Sequence, residues 1–564
     1  MNFVMNVRPI WNLATSHSRI RTGELAMPNR FLARWIVAAC LVCAALAVAQ
    51  KAEALEPQPA LGRTLLFVDD HDVLYRSGTR RELHPAERRG PVIVEDKPWE
   101  IAIGWSSIYR DRKSGKYQLW YQSYAGTTIA DKRLQCVVCY AESDDGVTFR
   151  KPALDLFPFG DTAKTNIVLI GSGLHGDRYC NSVLVDDRET DPNRRYKMAF
   201  YDWGLKDGRL EAGLCLAFSP DGVRWTKHGD GPLYATRFGA RGLQPPLDDE
   251  DAYLETPVKG RPVRKEWRYP MTMSDAVDVF YDPRRETYAI YGKAWMDSPI
   301  GGGAWKHGLA RVESKDLLTW SKAEFLLGPD DRDSPDLEFH TSPVFFYNEM
   351  YFSPNQILDR RRSGTMYAEL MTSRDGSRWE REFRDRPFIA NGPAGEFDGG
   401  CILSNNTPIV LDDEIRFYYG AYSSGAVGGG TNITGPEQRS GVGLAVIPRD
   451  RFAGIRPLPK SEQPTLRKPV ENIGQITLRP VDLTGCTALT VNADAAKGAI
   501  RVEVLNADGY RMRGFTQEDC KPITGDSLRH AVAWNQKKLA DLPPGRYMLR
   551  LHLDNSAVYA VTYR

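Results

Sequence analysis

The sequence predicts an all-β chain, a five-bladed β-propeller followed by a small antiparallel β-sandwich. Three observations predict it. A serine–aspartate–glycine turn recurs along most of the chain, an aromatic alternating strand precedes each copy, and from Ile473 onward a different alternating text replaces the repeat. Helical periodicity is nearly absent throughout.

The turn reads SDDGVTF at Ser143–Phe149, SPDGVRW at Ser219–Trp225, SKDLLTW at Ser314–Trp320 and SRDGSRW at Ser373–Trp379. A weaker fifth echo, GLAVIPRDRF, runs from Gly443 to Phe452. Asp-Gly supplies the positive φ that joins two strands tightly. The turn aspartates are about 76 residues apart on average, above the roughly 40–50 of minimal propeller blades, which leaves long loops on each unit. The aromatic strands are Lys116–Tyr124, Arg195–Trp203, Glu286–Trp295, Met350–Gln356 and Glu414–Tyr422. A further β-rich run precedes each of them, so the unit reads strand, turn, aromatic strand, loop, strand, Asp-Gly turn, strand. A twisted four-stranded sheet cannot cover both its faces alone, whereas radial packing buries them and a closed ring leaves no long free edge. Trp225, Trp320 and Trp379 are expected between blades. A long β-sandwich with coincidental turns is the alternative.

The propeller is expected over residues 60–462, ending in the Pro/Lys-rich linker IRPLPKSEQPTLRKP, with the accessory sandwich over 463–564. Runs at Ala488–Asn492, Ala499–Leu505 and Tyr547–Leu553, with the Ala507-Asp508-Gly509 turn, are its strands.

The 564 residues exceed one small core, and 74 Lys+Arg against 72 Asp+Glu leave a net charge of +2. This balance gives no electrostatic footprint for nucleic acid and no polybasic membrane anchor. Arg30 and Arg34 precede an apolar run, Trp35–Val48, and small-residue sites at Ala47-Val48-Ala49 and Ala52-Glu53-Ala54. That is the order of a secretory signal starting at Met27, in a run too short to span a bilayer comfortably. Residues 1–54 are therefore expected to be an N-terminal extension and signal peptide. The mature chain is expected to be exported, periplasmic or extracellular, with no integral membrane segment. An uncleaved anchor and a lipoprotein site at Cys40 are the alternatives. Cys136 and Cys139 fall on opposite faces of one strand and read as two buried thiols, not as a zinc or redox pair. Cys486 and Cys520 are candidate disulfide partners.

LLFVDD (Leu65–Asp70), PWE (Pro98–Glu100), YQLWY (Tyr117–Tyr121), YAESDDGVTF (Tyr140–Phe149) and DPNRRYKMAFY (Asp191–Tyr201) resemble a group of exported bacterial proteins. So does TALTVNADAAKGAIRVEVLNADGY in the C-terminal region. That group is glycoside hydrolase family 32-like, near the five-bladed propellers of families 32, 43, 68 and 130, and the resemblance spans about Leu65 to Tyr563. It implies the fold, an oligo- or polysaccharide as partner, and two or three carboxylates around the funnel. It implies no cofactor, though some relatives hold a calcium ion at the axial channel. The family 32 motifs WMNDPNG, RDP and EC do not occur here, so the resemblance implies the location of a site and not the identity of its residues.

At that location, where innermost strands begin, stand Glu100 before the first blade, Asp275 before the third, Glu338 before the fourth and Asp398 before the fifth. Glycoside hydrolysis needs one protonated carboxyl to assist the leaving oxygen and one ionised carboxylate as base or nucleophile, so these four are the catalytic candidates. Converging acids would push one another's pKa values apart and so divide those roles. Trp105, Arg178, Asn181 and His340 fall near the same rim by register and are the substrate-binding candidates. An indole is a platform for a sugar ring, and an arginine fork suits a carboxylate or sulfate. No metal ligands are assigned. GxSxG, HExxH, a phosphate loop and paired CxxC motifs do not occur. The expected function is an exported glycan-acting enzyme, a glycoside hydrolase with paired carboxylates. A non-catalytic carbohydrate-binding propeller is the alternative, and an interaction scaffold ranks behind both.

Overall fold

The computed structural model describes residues 63–174, 181–206, 208–235, 277–297, 304–359, 364–425, 439–463 and 470–564. Among these residues five antiparallel units follow one another, the first three as separate sheets and the last two joined within one ten-stranded sheet. The first is Ala102–Arg110, Tyr117–Tyr124, Cys136–Ser143 and Ile167–Leu169; the second is Asn181–Val185, Tyr196–Lys206, Arg209–Ser219 and Thr226–Lys227. The third is Val279–Asp282, Thr287–Asp297, Ala304–Ser314 and Glu324–Leu327. In the fourth, Leu337–Phe339 and Phe345–Tyr347 both pair with Met350–Asp359, which is followed by Thr365–Ser373 and Pro387–Ile389. In the fifth, Cys401–Leu403 and Ile409–Val410 pair with Glu414–Tyr422, then Ser440–Pro448. The aromatic strands foreseen from sequence are the second strand of every unit. They are buried on both faces because each unit packs on the next: Trp120 and Tyr121, adjacent in the chain, are both fully buried, in different cores.

The recurring turn sits where neighbouring units meet. Asp145 Oδ1 accepts the backbone N–H groups of Val147 and Thr148, both at 2.8 Å, while Ser143 Oγ accepts that of Gly146 at 2.9 Å. The pattern repeats at Asp221, Asp316 and Asp375. The turn carbonyl then receives a ring from the adjacent unit. Trp120 Nε1 donates to the Gly222 carbonyl at 2.6 Å, Tyr291 Oη to Gly376 at 2.8 Å and Tyr418 Oη to Gly146 at 2.7 Å. The last of these joins the fifth unit to the first. Units two and three share a core of Tyr201, Leu214, Val279 and Ile290, and units four and five share one of Phe352, Leu370, Phe417 and Tyr419, so the ring closes. Glycine is needed because φ is +79° at Gly222 and a Cβ there would lie 2.6 Å from Trp120. The third and fifth turns carry Leu317 and Asp450 at the left-handed position instead. Gly222→Ala is expected to destabilise the chain by about 2–4 kcal/mol in chemical denaturation, from left-handed strain plus overpacking.

The ring is completed by Glu87–Val94, which pairs with Ser440–Pro448 as the outermost strand of the fifth unit. The Leu65–Asp70 stretch plays no part in that closure. Arg63–Leu66 pairs instead with Ala557–Tyr563, Val73–Ser77 with Ile473–Leu478, and Thr79–Leu83 with Ala453–Pro457. The C-terminal sheet therefore reaches across the expected 462/463 boundary and takes strands from the front of the chain. It is one curled sheet: its two end strands, Val73–Ser77 and Thr79–Leu83, are joined by Gly78 alone. The two short runs expected at 488–492 and 499–505 are one strand, Leu489–Asn506, whose register shifts between Ala495 and Ile500. One half pairs with Ala557–Tyr563 and the other with Arg546–Asp554, the corner arrangement by which a sheet folds over its own core. Cys486 and Cys520 are free thiols, which corrects the expected pairing. A chain ending at residue 462 would strip Leu65, Phe67 and Val73 of the core they fill. It is expected to run as aggregate in size-exclusion chromatography, not as a propeller.

Candidate functional site

The first strand of every unit lies innermost, where strands diverge around the axis and do not ladder with one another. Several of their backbone groups are satisfied by polar side chains from other units. Ser107 Oγ accepts the Val183 N–H at 3.1 Å and Ser182 Oγ that of Val279 at 3.0 Å. Asn406 Nδ2 donates to the Val279 carbonyl at 3.1 Å, and Thr407 Oγ1 accepts the Ile108 N–H at 3.1 Å. Gln356 Nε2 donates to the Ser404 carbonyl at 3.1 Å. These cross-links tie the innermost stretches of all five units into one polar network.

Beside that network several buried atoms have no hydrogen-bond partner among the described residues: Trp105 Nε1, both amide atoms of Asn181, Thr341 Oγ1 and Asn406 Oδ1. They come from four different units, and Asn181 is only 2% exposed. Buried polar groups are almost always paired, so these donors and acceptors are the ones that a bound ligand or ordered water would satisfy. Trp105 packs against the core shared by units two and three and against a cluster of Leu358, Cys401 and Tyr422 from units four and five. Its indole stacks on the His340 ring at a centroid distance of 6.5 Å and an interplanar angle of 23°. His340 Nδ1 lies 3.1 Å from Gln356 Oε1.

Two buried carboxyls stand beside residues of this network in the chain. Asp278 immediately precedes the innermost strand of the third unit and is 5% exposed. Burial pushes its carboxyl up to about 7, against the lowering effect of the Asn406 backbone N–H directed at it. Glu338, 6% exposed, lies two residues before His340 and makes a close contact with Nδ1 of His307, from the third unit. One carboxyl is thus still about half protonated at neutral pH, and the other faces an imidazole.

Of the candidates read from sequence, Glu338, Trp105, Asn181 and His340 come together here. Asp275 and Arg178 lie outside the described residues. Glu100 and Asp398 are placed elsewhere. Both oxygens of Glu100 are consumed, Oε1 by Tyr121 Oη at 2.6 Å and Oε2 by Lys151 Nζ at 2.6 Å and the backbone of Asp96 and Lys97. Asp398 Oδ2 accepts Arg88 Nη1 at 2.8 Å and Tyr419 Oη at 2.9 Å, while Oδ1 is unpaired and buried against Gly392. Arg88 is on the outermost strand of the fifth unit, far across the blade from the innermost one. A carboxylate bound by lysine or arginine and tyrosine at a unit junction is a structural tie, and neither residue shares a partner with Glu338 among the described residues. Asp278 and His307 were missed. Asp278 had a usable signal, since it directly abuts the apolar strand VFYD whereas Asp275 stands further back. His307 had none, because only the packing of the third unit on the fourth brings it to Glu338.

No group of three or more His, Cys, Asp or Glu side chains among the described residues could hold a metal ion. Among the described residues the axial donors are amides, hydroxyls and an indole with the carboxyls of Asp278 and Glu338, fewer oxygen ligands than the roughly six to eight that calcium takes. No helix among the described residues is long and apolar enough to cross a membrane.

No family model matches the sequence, and no curated protein matches it. Among solved structures the chain is similar to a glycoside hydrolase at 14% identity, covering 64% of this chain and 92% of that one with a TM-score of 0.42. It is also similar to an N-acetylgalactosamine deacetylase from F. plautii, in complex with blood group B trisaccharide, at 16% identity, 66% and 96% coverage and a TM-score of 0.41. A family 32 β-fructofuranosidase from Bombyx mori matches at 10% identity, 84% and 93% coverage and a TM-score of 0.36. Likeness at this level leaves the chemistry to be argued from the axial residues themselves.

Proposed function

We propose that the five units are the blades of one propeller and that the chain is an exported glycan-acting enzyme, a glycoside hydrolase working at the axis. The observation that carries this reading is the set of unpaired buried polar atoms on Trp105, Asn181, Thr341 and Asn406, gathered with two buried carboxyls. A sugar presents many hydroxyl donors and acceptors around an apolar ring face, which suits amides and a hydroxyl beside an indole. In this reading Asp278, still about half protonated at neutral pH, gives its proton to the leaving glycosidic oxygen. Glu338, facing His307, acts as the ionised base or nucleophile. Environments that separate two carboxyls in this way divide the acid and base roles. The test is release of reducing sugar from a panel of neutral and uronic polysaccharides. Release from at least one member supports the reading. Binding without release from any member favours the non-catalytic carbohydrate-binding propeller instead.

A further inference from the structure

We propose that Arg381 is the positioning residue for the Glu338 carboxyl; the inference rests on the carboxyl-pair reading above. Glu338 is held by a strand of only three residues, Leu337–Phe339, paired on one side with Met350–Asp359. Backbone pairing that short does not fix a side chain to the tolerance that proton transfer requires. Arg381 supplies what the strand lacks. Its side chain is 1% exposed, and its Nη1 donates to both oxygens of Asp333, at 2.9 and 2.7 Å, five residues before Glu338. Its Nε and Nη2 donate to Glu369, at 2.6 and 3.1 Å, on the strand Thr365–Ser373. The guanidinium carbon lies 4.9 Å from the ring centroid of Phe339, the residue directly after Glu338. One planar group therefore touches the chain before Glu338, the chain after it, and a strand that neither belongs to. Arg384 reinforces the first contact through Asp330, at 2.9 and 2.6 Å.

Stability alone gives no reason for this arrangement. Burying three charged side chains is often no better than packing apolar groups of the same volume, whereas paired, bidentate guanidinium contacts fix geometry. The network lies where the chain turns into the short strand bearing Glu338, so its product is the orientation of that carboxyl.

The test is the triple variant Asp333→Leu, Glu369→Met, Arg381→Met, which replaces the three buried charged side chains by apolar groups of similar volume. We expect its melting temperature to stay within about 5 °C of the parent, given that such replacements are often neutral. We expect kcat on the released glycan to fall roughly 10²-fold with KM little changed, the effect of about 1 Å of misplacement. Its crystal structure should show Glu338 displaced from His307. A triple variant with parental kcat and an unmoved Glu338–His307 contact overturns the proposal. If the triple variant does not fold, Arg381→Lys, which keeps the charge and loses the fork, is read by the same two measurements. If the parent cleaves no glycan, the carboxyl-pair reading fails on its own, and the crystallographic position of Glu338 in the variant still decides the role of Arg381.

Discussion

Glu338→Gln is expected to lower glycan hydrolysis by about 10²–10⁴-fold while leaving the fold intact, the range for removing one acid–base partner. The substitution is nearly isosteric, and Glu338 is in contact with His307 on an innermost strand, not tied into an outer salt bridge. The informative control is Glu100→Gln. Glu100 is equally buried, but it holds Lys151, Tyr121 and two backbone N–H groups. Its loss leaves Lys151, whose side chain is 9% exposed, with only Asp96 as an ionic partner among the described residues. Breaking a buried pair from one side costs roughly 3–5 kcal/mol. The two variants should thus separate cleanly: loss of rate at parental stability for Glu338→Gln, loss of stability with parental rate per folded molecule for Glu100→Gln. Steady-state kinetics and denaturant titration, run side by side, read both.

Asp278→Asn is expected to change both the pH dependence of stability and that of rate. The carboxyl is raised from 3.8 to about 7 by burial, a difference that corresponds to roughly 4 kcal/mol. Because the folded state holds this proton more tightly than the unfolded state, the contribution is fully present below about pH 4. It declines as pH rises and is gone once pH passes about 7. Asn carries no proton to lose. Relative to the parent, the variant should therefore gain stability as pH rises from about 4 to 8, and the difference between the two unfolding free energies should rise across that window. The rate prediction has the same origin. If Asp278 is the general acid, parental activity falls above about pH 7 as the proton leaves, and Asp278→Asn removes that limb along with most of the activity. A flat difference in stability between pH 4 and 8 would mean that the carboxyl is not held protonated at all.

The repeat was legible because its signal is local. Ser143, Asp145 and Gly146 are neighbours in sequence, and their hydrogen bonds are made within the same turn. The second strand of each unit was equally plain, since burial on both faces demands long apolar and aromatic runs. The C-terminal sheet was harder. Leu65, Phe67 and Val73 read as part of the propeller because they precede it, yet their partners stand some four hundred or more residues later. Nothing local distinguishes a strand that closes a ring from one that closes a different sheet.

The site was legible only in part, for the same reason. An acid before an innermost strand is a position any propeller offers, and sequence could not separate Glu338 from Glu100 or Asp398. What separates them is the company each keeps. Lys151 and Arg88 neutralise Glu100 and Asp398, and both come from outside the innermost strands. Trp105, Asn181 and His340 could be placed near the innermost strands because register along those strands is regular. His307 and Arg381 were not found, because they act on Glu338 from another strand and from a loop, through contacts that no spacing encodes.

The account turns on whether a glycan occupies the axis. The direct measurement is a crystal structure of Glu338→Gln with an oligosaccharide that the parent cleaves. A sugar ring is expected against Trp105, with hydroxyls paired with Asn181 and the scissile oxygen within about 3 Å of the Asp278 carboxyl. A glycan seated on the C-terminal sheet or the outer face of the units, with the axial groups still unpaired, would contradict it.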